Sequence, residues 1–352
     1  MFGAVATYRS DTNRRYGKVS RSVAEPLSSS AGLSVGRLVN GTTMKKTLGI
    51  ILFGVVVGTG ACAGPSSQPV RVAESPSYEG PILDPHIHVF FDEEVAAGVH
   101  KSNPVNPAGV EALLDDSRIQ AGLMVMATGS LEQAVEDNDR VIEFAAKIPG
   151  SFAIGSVNPN HGDAAVTELD RMVKAGVRWL KLHPNSQRFD VAAPTVAKIV
   201  KRSGELGVPV TFDASLLLDA DQIGKFIRLA IANPSADIVL AHMGGPRFDE
   251  LSFLKALEMY PWWKRNIWLD ISFTVPLYAG SPRKESLVWT LRTVGIDRVL
   301  FASDYPAHTP AETIEAVETL GLNAAEQRAV FYGNTRQLLD KEATARNIRN
   351  AP

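Results

Sequence analysis

From residue 81 onward the chain alternates two hydrophobic patterns. Short, nearly continuous apolar runs recur at 81–89, 120–127, 151–158, 177–183, 208–214, 237–243, 266–273 and 297–303, as expected of strands buried on both faces. Between them lie stretches with helical periodicity, at 130–147, 163–175, 192–206, 219–232, 248–260, 283–294 and 309–320. In 163–175, for example, Ala164, Val166, Leu169, Met172 and Val173 form a single stripe. Gly176, Gly207, Gly295 and Gly321 stand just past predicted helix ends, where a left-handed residue closes the last turn. Eight strands alternating with helices over about 260 residues predict a (β/α)8 TIM barrel, a fold of typically about 250 residues. The barrel is read as one domain over 81–342. Its C-terminal helical extension is opened by a capping box at Asn323 and Glu326, and 343–352 is read as a tail. An open doubly wound sheet gives the same alternation. However, Asp84-Pro85-His86 stands where such a sheet carries its glycine-rich phosphate turn.

Barrel active sites gather at the C-terminal ends of the strands, so the polar residues ending each apolar run are the candidates. In the first run Asp84, His86 and His88 alternate with apolar neighbours and share one strand face, while Leu83, Ile87 and Val89 share the other. Two adjacent imidazoles with a carboxylate behind them suit a divalent metal, zinc or manganese. His183 ends the fourth run in Leu180-Lys181-Leu182-His183-Pro184, and Asp213 falls late in the fifth. His242 ends the sixth, before Met243-Gly244-Gly245, and Asp304 ends the eighth in Ser303-Asp304-Tyr305-Pro306. Four of the 7 histidines thus fall on the predicted rim. Asp304 has a second reading, as the cap of the helix at 309–320. Asp270 reads as a hydrogen-bonding member of the rim, and His100, His161 and His308 as solvated loop residues.

Composition narrows the picture. A 352-residue chain that is 45% hydrophobic and 21% charged can bury a large core, which excludes disorder, collagen and coiled coil for the whole. The one cysteine, Cys62, excludes an internal disulfide, a thiolate zinc cluster and a two-cysteine redox site. Residues 1–46 carry a surplus of Lys and Arg, so the remainder is more acidic than the overall charge of −2 suggests. An acidic body without a basic, aromatic-interleaved stripe argues against nucleic acid as a partner.

The amino-terminal region reads as an address. Met44-Lys45-Lys46 precedes an apolar run, Thr47–Ala61, that falls short of the roughly 20 residues needed to cross a membrane. A charged start, a short apolar core and small residues at its end make a secretory signal over 44–61. Thr59-Gly60-Ala61-Cys62 resembles the lipobox of bacterial lipoproteins, although Thr59 stands where leucine is usual. The resemblance implies export and a lipid anchor at Cys62, on the periplasmic or outer-membrane side. Residues 62–80 then read as a flexible tether. Residues 1–43 read as disordered, or as lying ahead of the true start at Met44.

The body resembles the amidohydrolase superfamily, in the branch holding metal-dependent hydrolases and aromatic-acid decarboxylases. The resemblance rests on Asp84-x-His86-x-His88, Lys181-Leu182-His183-Pro184, Ala241-His242-Met243-Gly244-Gly245, Ser303-Asp304-Tyr305-Pro306 and Gly333-Asn334-Thr335-x-x-Leu338-Leu339. It implies that His86, His88 and Asp304 bind a divalent metal, with Asp213 standing where the family usually carries a fourth, histidine ligand. His183 and His242 are alternatives for that place. Asp304 is implied as general base and His242 as oxyanion stabiliser, with His183, Lys181 and Arg188 binding the substrate. Lys181 is also a candidate for the carbamylated lysine of distant relatives. Arg178, Arg188 and Arg247 are the cations available for a substrate carboxylate, Arg188 being nearest the rim. The activity implied is hydrolysis of a small amide, ester or lactone through activated water. The alternatives are nonoxidative decarboxylation, or a degenerate barrel that only binds a ligand. A homodimer is compatible with the sequence.

Overall fold

Eight parallel strands follow one another around the sheet in sequence order. They are β1 (Ile82–His88), β2 (Ile119–Met124), β3 (Phe152–Ser156), β4 (Trp179–Leu182), β5 (Val210–Asp213), β6 (Ile238–Ala241), β7 (Ile267–Asp270) and β8 (Val299–Leu300). Beyond β8 the chain returns to β1, where Tyr305 bridges Ile87 and the His88 N–H donates to the Tyr305 carbonyl at 3.0 Å. Helices Leu131–Ala145, Asp163–Ala175, Pro194–Leu206, Gln222–Ala232, Lys284–Val294 and Pro310–Glu318 fill the connections. The fold is a (β/α)8 barrel. The computed structural model describes residues 77–215 and 219–349. The segment 1–43, the signal at 44–61, Cys62, the tether up to residue 76 and the last three residues of the tail lie outside the described residues. No helix among the described residues is long and apolar enough to cross a membrane.

Local chemistry sets the helix ends. Ser130 with Gln133, Thr309 with Glu312 and Asn323 with Glu326 form reciprocal capping boxes, which satisfy amides that the first turn leaves free. Thr309, not Asp304, therefore caps the helix Pro310–Glu318, and Asp304 is left to the rim. Gly176 closes Asp163–Ala175 at φ 128°, a conformation that costs glycine little.

Three expectations are corrected. The hydrogen-bonded ladders are shorter than the apolar runs, so His183 and His242 follow β4 and β6 rather than ending them, and Asp304 lies four residues past β8. The helix expected at 248–260 is instead a 3-10 stretch ending at Phe253, followed by the single turn Leu254–Leu257. Its buried stripe, Phe248, Leu251, Leu254 and Leu257, repeats every third residue, the period of a 3-10 helix rather than an α-helix. The β1–β2 connection also carries two short helices, Glu93–Val99 and Pro107–Leu113, absent from the sequence reading.

The interior of the barrel is filled by Leu83, Met124, Phe152, Ile154, Trp179, Val239, Trp268 and Leu300, joined by Leu338 and Leu339 of the helix Asn334–Arg349. That helix closes the N-terminal end of the barrel and continues past residue 342. Arg178, just ahead of β4, belongs to this end. Its Nε lies 2.9 Å from Glu342, which is fully buried, and its Nη2 donates to the Leu339 carbonyl. Arg178 is thereby committed to the face opposite the rim. Because removing one member of a buried pair leaves a charge uncompensated, Glu342→Ala is expected to cost about 3 kcal/mol in urea unfolding.

Candidate active site

The site is assembled by a carboxylate that does not itself join the donors. Asp84 is completely buried, and its Oδ1 accepts the N–H groups of His86 and Ser303, each at 3.1 Å. Burial pushes its carboxyl up to about 6. This double acceptance ties β1 to the segment after β8 and brings Asp304 to the histidines. Asp304 Oδ1 lies 3.0 Å from His86 Nε2 and 3.3 Å from His88 Nε2. Each of the three residues offers one ligand atom, and those atoms all lie within 4.8 Å of one another. Zinc bonds of about 2.0–2.2 Å in a tetrahedron place neighbouring donors about 3.3 Å apart. Two imidazole nitrogens and one carboxylate oxygen at this spacing fit a divalent ion, with coordination positions left for water or substrate.

The local charges suit such a role. Burial would raise the Asp304 carboxyl, but the charges of His86 and His242, with hydrogen bonds from His86 and His88, hold it well below the usual range. Burial lowers His88 to about 4, so its ring is neutral and can ligate. Lys181 is buried, with Nζ 2.9 Å from His86 Nε2, and burial lowers its amine. Burial would also lower His242, but the charge of Asp304 and the hydrogen bond to Asp213 outweigh it and raise the ring to about 9.

Asp213 stands apart from the three converging donors. Its Oδ2 lies 3.1 Å from His242 Nε2 and 3.5 Å from His183 Nε2, and those two rings more than offset its burial, holding the carboxyl far below the usual range. Gly245, at φ 55°, permits the close approach of this region, since a Cβ there would meet the Ser215 carbonyl oxygen at 2.8 Å. His183 caps the short helix Pro184–Gln187 through Nδ1, which accepts from Ser186 N–H. Arg188 follows it in a left-handed conformation at φ 56°, exposed and without an ion pair among the described residues. Arg247 is occupied by Glu250 and the Ala220 carbonyl.

Several rim residues escaped the sequence reading. Gln187 is buried and ties three strand ends together, donating to the Ala127 and Val157 carbonyls and accepting from His183 N–H. A glutamine four residues past a strand-end histidine carries no signal of its own. His308 is not a solvated loop residue. It is half-buried, its Nδ1 is shielded from solvent and has no hydrogen-bond partner among the described residues, and its ring lies edge-on to Phe273 at 5.8 Å. His161 and His100 are also half-buried, and His100 Nδ1 accepts the N–H groups of Ser102 and Asn103. His242, Phe273 and Asp304 all hold positive φ near 60°. This conformation is rare outside glycine and clusters at functional sites.

A (β/α)8 barrel with a His-x-His pair on its first strand and an aspartate after its eighth, gathered at the C-terminal rim, has the architecture of the amidohydrolase superfamily. The family model described as amidohydrolase matches residues 83–341, and the chain belongs to that family. None of the curated proteins matches the sequence. Among solved structures, the chain is similar to 2,6-dihydroxybenzoate decarboxylase from Rhizobium, with a TM-score of 0.58 and 17% identity over 74% of this chain and 99% of that one. A dihydroxybenzoic acid decarboxylase from Polaromonas with bound manganese gives 0.55 and 17%, over 74% and 97%. A candidate 2-pyrone-4,6-dicarboxylic acid hydrolase from Pseudomonas putida gives 0.52 and 19%, over 75% and 99%. At these identities the likeness is one of fold.

Proposed function

We propose that the chain is a metal-dependent hydrolase of a small molecule bearing an amide, ester or lactone, with His86, His88 and Asp304 holding a divalent ion, zinc or manganese. The observation that carries this reading is the division of labour within Asp304: Oδ1 faces both histidines of β1, while Oδ2 is turned toward His242, 4.0 Å away. A divalent ion in this position supplies Lewis acidity toward a carbonyl oxygen and lowers the pKa of water. Asp304, held ionised, takes the proton of the attacking water on Oδ2 and returns it to the leaving nitrogen or oxygen. His242, kept cationic by Asp304 and Asp213, balances the negative charge that develops on the carbonyl oxygen. His183 and Lys181 flank the donors, and Arg188 is free to meet a substrate carboxylate.

The cation at His242 also favours a second reading, nonoxidative decarboxylation. A protonated ring beside the donors is placed to deliver a proton to the carbon that loses its carboxylate. Assay of the metal-loaded protein on ester and lactone panels and on hydroxybenzoates separates the two. Acid release from esters or lactones without carbon dioxide is expected. Carbon dioxide from a hydroxybenzoate with no hydrolysis would replace the first reading by the second.

A further inference from the structure

β7 and the residues just beyond it touch both key histidines from behind. Asp270, the last residue of β7, is buried, and its Oδ2 lies 2.7 Å from His86 Nδ1. Its Oδ1 is engaged by Ser272 N–H at 2.8 Å. The Ser272 hydroxyl lies 3.1 Å from His242 Nδ1 and 3.4 Å from His86 Nδ1. Thr274 Oγ1 donates to the His242 carbonyl. Between them Phe273 adopts φ 60° and ψ −48° and sets its ring edge-on to His242. A bulky residue in that conformation is strained, and it persists only where its surroundings over-determine it.

We propose that Asp270, Ser272 and Thr274 form a positioning clamp that fixes the ring orientation and tautomer of His86 and His242 together. The two contacts differ in chemistry. A carboxylate only accepts, so Asp270 requires a proton on His86 Nδ1, while Nε2 faces Lys181 Nζ at 2.9 Å and Asp304 Oδ1 at 3.0 Å and is the nitrogen left for a metal. A hydroxyl donates or accepts, so Ser272 holds His242 Nδ1 whether or not that nitrogen carries hydrogen. The clamp is thus strict at His86 Nδ1 and holds the His242 ring through the Ser272 hydroxyl at 3.1 Å and the Ser272 carbonyl at 3.4 Å. This inference deepens the metal-site reading above and rests on it for its effect on affinity, though not for the tautomer itself.

Asp270→Asn tests it. The Ser272 amide retains the oxygen, so the new NH2 group faces His86 Nδ1 and drives the proton to Nε2. Nitrogen-15 NMR of metal-free full-length protein, with His86 and His242 assigned by single replacement, is expected to show a proton on His86 Nδ1 in the wild type and none on that nitrogen in the variant. Zinc affinity, measured by chelator competition, is expected to fall about 10- to 100-fold, as is usual when a ligand's supporting partner is lost. Ser272→Ala is expected to leave the His86 tautomer and zinc affinity unchanged while altering the His242 resonances and the pH profile. An Nε2–H tautomer on His86 in the wild type overturns the clamp, even where the variant does not fold. Unchanged tautomer and affinity in Asp270→Asn overturn it as well. A wild type that shows the Nδ1–H tautomer but binds no zinc supports the clamp and removes the metal reading alone.

Discussion

Asp304→Asn is expected to lower kcat/KM by about 10³-fold or more while leaving the barrel folded; loss of a general base and of its proton return is typically worth 10²–10⁴. The substitution is well suited to the site. Asp304 sits at φ 59°, and asparagine tolerates that conformation as well as aspartate does, so the backbone is undisturbed. The amide can still accept a hydrogen bond from His86 or His88, but it no longer takes a proton from water. His242 also loses the charge that does most to raise its ring to about 9. The barrel should melt at a temperature close to that of the wild type, because asparagine keeps the size and φ of the aspartate and leaves the Tyr305 bridge to Ile87 in place. Activity retained in this variant would remove Asp304 as the base.

The second large effect is that of the metal. Dialysis against a chelator is expected to abolish turnover, and added zinc or manganese to restore it. An ion bound only by the folded state stabilises it by about 2.7 kcal/mol at a hundred times its Kd, which for a domain of this size raises Tm by about 5 °C. His86→Ala should erase that shift, since it removes one of the three converging donors. Elemental analysis that finds no stoichiometric metal, together with an unmoved Tm in added zinc and manganese, would defeat the reading.

Much of this architecture is legible in the sequence because a parallel barrel buries its strands on both faces, so each one writes itself as an apolar run. The His-x-His pair and the aspartate before Tyr305-Pro306 are legible for a related reason, since they are polar groups directly attached to such runs. What the sequence hides is pairing. Asp213 falls late in β5 and invites reading as a fourth donor, but its position against His242 and His183 is invisible in the sequence, being set by how β4, β5 and β6 pack side by side. Asp270 and Ser272 are visible as polar residues near the end of β7, but their partner His86 is 184 residues away from Asp270. The stripe at Phe248, Leu251, Leu254 and Leu257 shows how a period of three passes for helical when only its apolarity is read.

The early end of the ladders has an evolutionary consequence. β4, β6, β7 and β8 close at Leu182, Ala241, Asp270 and Leu300, while His183, His242, Ser272 and Asp304 sit on the backbone just beyond. His183, His242 and Ser272 hang from turns beyond the paired residues of their strands, whereas His86 and His88 lie within β1 and Asp304 precedes Tyr305, whose bridge to Ile87 closes the sheet. Substitutions at those turn positions change what is bound or transformed without asking the barrel to fold differently. Selection can therefore act on chemistry and on foldability along separate stretches of the same chain.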